Sequence, residues 1–152
     1  VIPYMGRTLS GMSVMPPTEP VDGASLTYRM TLPDTVTHVT VRVVVKSTLD
    51  FLDKGGLCYT VALDGGDAQS INFNSNLNEK PENIYSVFYP TVAGRVVEKS
   101  VTLPVKKGTK YHDLVVAPSD PGIVFEKIVV DFGGYTPSFL FMDESSCSRN
   151  SK

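Results

Sequence analysis

Three pairs of carboxylates lie close together in the chain: Asp50 with Asp53, Asp64 with Asp67, and Asp143 with Glu144. Glycoside hydrolysis uses two carboxyl groups flanking one bond, one to protonate the leaving oxygen and one to activate water or to attack. All three pairs fall in turns or at chain ends, where carboxylates are ordinarily solvated, so no catalytic residue is expected in this chain. Hard oxygen ligands in a turn also suit calcium, which makes Asp64 and Asp67 the calcium candidates. No other metal and no cofactor is expected.

The histidines, His38 and His112, stand far apart and show no metal-ligand spacing, and at strand positions they read as surface or hydrogen-bonded side chains. G-x-S-x-G, the P-loop and G-x-G-x-x-G are all missing. Cys58 sits in an apolar strand pattern and Cys147 in a polar tail, and two free thiols are expected. Sugar binding without catalysis would use aromatic faces stacked on pyranose rings. The chain has seven Tyr, seven Phe and no Trp. Tyr85, Tyr89 and Tyr135, in or beside irregular segments, are the carbohydrate-binding candidates, set against the plainer reading of tyrosines packed at sheet edges.

Charge and hydropathy narrow the partners. A net charge of −2 with scattered Lys and Arg gives no basic face; Lys106, Lys107 and Lys110 surround a turn glycine, and no nucleic-acid partner is expected. No run reaches the roughly 18 apolar residues of a membrane span, and the start lacks signal-peptide architecture. A chain that opens on Val1 reads as an excised or processed piece. Its 152 residues are enough for one domain that buries about 68–70% of its unfolded surface.

The elements that must position these residues are strands. Leu26, Tyr28, Met30 and Leu32 alternate with polar residues, as do Val39, Val41, Val43 and Val45, and then Leu57, Tyr59, Val61 and Leu63. Period two with β-branched side chains marks half-buried strands. Asp64-Gly65-Gly66-Asp67 followed by Gln69 to Phe73 predicts a hairpin. Pro81 to Tyr89 predicts a short helix with Pro81 in its first turn. Val96 to Val105 and Tyr111 to Ala117 are predicted to pair across a turn at Lys106 to Lys110. A last strand, Ile123 to Phe132, ends at Gly133-Gly134. Before all this, residues 1–23 form an irregular lead-in with a short edge strand at Met12 to Met15, and residues 146–152 read as a disordered tail. The fold expected over residues 1–145 is all-β: an antiparallel β-sandwich, jelly-roll or immunoglobulin-like, with at most one short helix.

Several ordered pieces carry a resemblance. Gly6-Arg7-Thr8, the Tyr59-x-Val61-x-Leu63-Asp64 strand end, Asp120-Pro121-Gly122-Ile123-Val124, Lys127-Ile128-Val129-Val130-Asp131, Gly133-Gly134, Pro137-Ser138-Phe139-Leu140 and Glu144-Ser145 together resemble the C-terminal domain of glycoside hydrolase family 115. The resemblance implies a bacterial parent enzyme, an inverting α-glucuronidase that removes glucuronic acid or its 4-O-methyl ether from xylan, in the periplasm or secreted. Family catalytic residues lie in the preceding domains, so none transfers here. The implied role is that of a non-catalytic accessory domain, packed on the catalytic domains of the same polypeptide or on a second subunit, with Phe139 to Met142 as a docking strip. A carbohydrate-binding module for glucuronoxylan, a xylan-type polysaccharide, is the alternative, and a stand-alone adhesion or surface protein the third reading.

Overall fold

A computed structural model describes residues 24–137 and Ser145. The lead-in with its Met12 to Met15 strand, the Phe139 to Met142 strip, the tail and Cys147 lie outside the described residues. Among the described residues seven strands form: β1 (Leu26–Met30), β2 (His38–Lys46), β3 (Cys58–Leu63), β4 (Gln69–Asn72), β5 (Val96–Pro104), β6 (His112–Pro118) and β7 (Phe125–Asp131). They build a four-stranded sheet in the order β1-β6-β3-β4 and a three-stranded sheet in the order β5-β2-β7. Every pairing is antiparallel, so the expected β-sandwich is what the chain forms.

Alternation sets which residues enter the core. Val39, Val41, Val43 and Val45 of β2 point at Tyr59, Val61 and Leu63 of β3 and at Leu114 and Val116 of β6, all buried. Each such aliphatic side chain contributes about 1.5–3 kcal/mol by leaving water. Leu57, Phe73 and Ile123 close one end, where the Tyr59 ring meets Phe125 edge-on at 5.6 Å and Phe73 at 6.2 Å. Between Val44 and Val45 the β2–β7 register slips, and Glu126 becomes the extra residue of a bulge.

The β3–β4 hairpin forms as the Asp-Gly-Gly-Asp turn predicts. The other expected hairpin does not. β5 pairs with β2, whereas β6 pairs with β1 and β3, so the Lys106 to Lys110 loop carries the chain from one sheet to the other. The cause is local: Asp64 at the end of β3 accepts the Lys106 N–H and donates its own N–H to the Asp113 carbonyl, drawing the start of β6 onto β3.

The helical segment also departs from expectation. A π-helical turn over Ile84–Phe88 runs into α1 (Tyr89–Gly94). Pro90 has no N–H to give to an i−4 carbonyl, so the ladder slips by one residue ahead of it, Phe88 and Tyr89 bonding to Asn83 and Ile84, and Pro90 then opens α1. Arg95, in the left-handed region at φ 61°, ends it. Among the described residues no helix is long and apolar enough to cross a membrane.

Candidate functional site

The best-organised polar site lies where the β3–β4 turn meets the β5–β6 crossover. Asp64 stands in the left-handed region, φ 55°, which Asp tolerates better than most residues. That backbone turns its carboxylate inward. Oδ2 accepts from His112 Nδ1 at 2.7 Å and from the Lys106 N–H at 3.3 Å, while Oδ1 accepts the Asp113 N–H at 3.1 Å. His112 is only 3% exposed. Both oxygens of one calcium candidate are therefore held by protein donors, while Asp67 sits exposed in the turn, its carbonyl accepting from Gln69. The sequence reading took His112 for a surface or hydrogen-bonded residue; it is the latter, and buried. Its place in step with Leu114 and Val116, both inward, was the available signal.

The opposite end is tied by a second polar network, and its chemistry is structural. Asp120, buried, accepts the Cys58 N–H at 2.6 Å and pairs with Lys54, which raises the Lys54 ammonium above its ordinary value. Asp50 Oδ2 accepts the N–H groups of Gly55 and Gly56 at 2.8 and 2.7 Å. Asn74 takes the Leu57 N–H at 2.6 Å and donates to the Thr48 carbonyl. Asp50 and Asp53 thus belong to a braced loop; Asp143 and Glu144 lie outside the described residues. Cys58 is free. Among the described residues no three His, Cys, Asp or Glu side chains converge as a metal cage would need.

Of the three candidate tyrosines, two come together. Tyr85 and Tyr89 are 79% and 51% exposed, with ring centroids 5.7 Å apart and planes tilted by 47°. Phe88 meets Tyr89 edge-on at 5.8 Å. A tilted pair presents two faces rather than one flat platform. Tyr135 stands elsewhere, under the guanidinium of Arg42 at 4.6 Å on the outer face of the three-stranded sheet, where Arg42 also reaches Glu98 and Asp131.

The glycosyl hydrolase family 115 C-terminal domain matches residues 1–144 of this chain. The chain belongs to this family. Among solved structures it is similar to BtGH115A, a GH115 4-O-methyl-α-glucuronidase with specificity for decorated arabinogalactans, with TM-score 0.61 and 21% identity over 76% of this chain. The chain spans only 14% of that enzyme's length. A further match, dimeric latent PorU from Porphyromonas gingivalis, has TM-score 0.40 and 12% identity over 86% of this chain and 11% of that one. No curated protein matches.

Among the described residues of this GH115 domain, the inward face of one edge strand is half exposed. Leu26 and Tyr28 of edge strand β1 lie opposite Val116 and Leu114 and so share their inward face, yet they are 40% and 46% exposed. Among the described residues four strands face three, and β1 lies at the edge of the larger sheet. At the edge of the three-stranded sheet, the inward Ile128 and Val130 of β7 are only half-buried, and Phe132 just beyond is exposed.

Proposed function

We propose that this chain is the non-catalytic accessory domain of a GH115 α-glucuronidase and works by packing on the catalytic part of the same polypeptide. The apolar inward face of β1 carries this reading. An isolated sandwich has no use for a half-exposed leucine and tyrosine on its core side, whereas a domain interface covers such a surface. The parent enzyme acts on glucuronic acid side chains of a xylan-type polysaccharide, in the periplasm or outside the cell. Incubated alone with aldouronic acids, the chain releases no glucuronic acid; measurable hydrolysis overturns the reading.

The exposed Tyr85–Tyr89 pair supports a second reading, a module that binds glucuronoxylan itself, with Tyr135 too distant in character to join the pair. Calorimetry with glucuronoxylan fragments separates the two readings, since heat lost on Tyr85→Ala belongs to the second.

A further inference from the structure

Among the described residues β5 is the longest edge strand, nine residues paired with β2 on one side only. A free edge of that length offers a row of backbone N–H and C=O groups to any second strand. The other edges are bent or brief: β7 carries the bulge, while β4 and β1 have four and five residues. β5 has neither protection, since its register with β2 is unbroken from Val96 to Pro104. What it has instead is one residue on its inward face. Val97, Lys99, Val101 and Leu103 stand across from Val45, Val43, Val41 and Val39, all core residues, and directly opposed residues share a face. Three of the four are apolar, as a half-buried strand requires. Lys99 is the exception, a half-buried cation between two valines, and among the described residues it has no hydrogen bond or ion pair.

A lysine in this place keeps its ammonium in water by running its stem out past the strand edge. That route is open only while the edge is free, and pairing with a second copy closes it. In an antiparallel pair about a two-fold at Ser100, the middle residue of β5, Lys99 of one copy lies opposite Val101 of the other. The two lysines then become diagonal neighbours roughly 7–8 Å apart on the inward face. Two ammonium groups without counterions lose water and face each other there, which costs more than the new backbone hydrogen bonds return. The outward face raises no such objection, because the same register sets Glu98 across from Thr102. We propose that Lys99 is a built-in block against edge-to-edge pairing of β5 with a second copy of this chain, and that an apolar side chain in its place uncovers this interface. The block belongs to the three-stranded sheet and does not depend on what docks at β1 of the other sheet.

The test compares the 152-residue chain with its Lys99→Val, Lys99→Met and Lys99→Glu variants by sedimentation equilibrium from about 10 to about 500 μM. Lys99→Val self-associates at least about tenfold more tightly than the parent. Lys99→Met, which keeps an unbranched stem and loses only the charge, does the same and decides the matter if the valine variant does not fold. Lys99→Glu keeps a charge at the edge and stays at the parent's mass. Amide hydrogen exchange then locates the contact: in the valine and methionine variants the β5 amides that face away from β2 gain protection as protein concentration rises. Better packing of a single molecule would slow exchange equally at every concentration. The block is overturned if both apolar variants match the parent in mass, if their association leaves β5 exchange independent of concentration, or if Lys99→Glu associates as they do. Loss of folding in both apolar variants also overturns it, because the lysine would then serve the core rather than the edge.

Discussion

Among the described residues Tyr59 is the largest fully buried side chain of the core, and its hydroxyl has no hydrogen-bond partner there. Burial pushes the phenol well above its ordinary value, because the charged form would sit in an apolar interior. A buried hydroxyl without a partner costs about 1–3 kcal/mol relative to one in water. Tyr59→Phe removes that cost and keeps the ring contacts to Phe73 and Phe125. Its unfolding free energy should rise by about 1 kcal/mol, raising Tm by about 3 °C. A fall of that size in a thermal scan would show a partner for the hydroxyl. The inward position of Tyr59 is legible in the Tyr-x-Val-x-Leu alternation, but nothing in a sequence says whether a buried hydroxyl is satisfied. Asp120 makes the same point. Asp-Pro-Gly reads as a turn, and it is one, yet the reach of its carboxylate to the Cys58 N–H joins residues distant in sequence.

At the scale of elements, period two placed the strands within a residue or two, because each buries one face and exposes the other. Pairing was less legible. Among the described strands five of the six connections change sheet, and only the β3–β4 link is a hairpin. Local alternation is blind to that choice, which is made by contacts such as Asp64 with the start of β6. Among the described residues edge strand β1 pairs only with β6, and Arg29 faces Asp113 directly across the pair, with two contacts of 2.8 Å. The hydrogen bond from Arg29, helped by its charge, holds the Asp113 carboxyl below its usual range. A depressed folded value stabilises β1 above the unfolded carboxylate value, about 3.9, and that stabilisation is lost as pH falls through the lower folded value. Arg29→Ala should therefore lie below the parent in Tm by a constant amount from neutral pH down to about pH 5, with the gap closing below about pH 4. A gap that persists at pH 2 would assign the effect to packing of the arginine stem instead.

For the whole molecule, the decisive fact is that among the described residues of the matched family unit a four-stranded sheet faces a three-stranded one. Sequence alternation put Leu26 and Tyr28 on the same face as the core residues of β6; what it could not see is that both stay half exposed there. If the catalytic part of the parent polypeptide covers this face, its association stabilises the folded domain by mass action within one chain. The domain should then unfold at least about 3 °C higher in the full-length enzyme than alone. Leu26→Ser with Tyr28→Ser should leave the isolated domain within about 1 kcal/mol of the parent, since both side chains are already half in water. In the full-length enzyme the same pair should bring the domain's transition down to its isolated value. Equal transitions in both contexts before any substitution would mean that nothing in the polypeptide docks on β1, and the half-exposed face would then have to be explained by a second subunit.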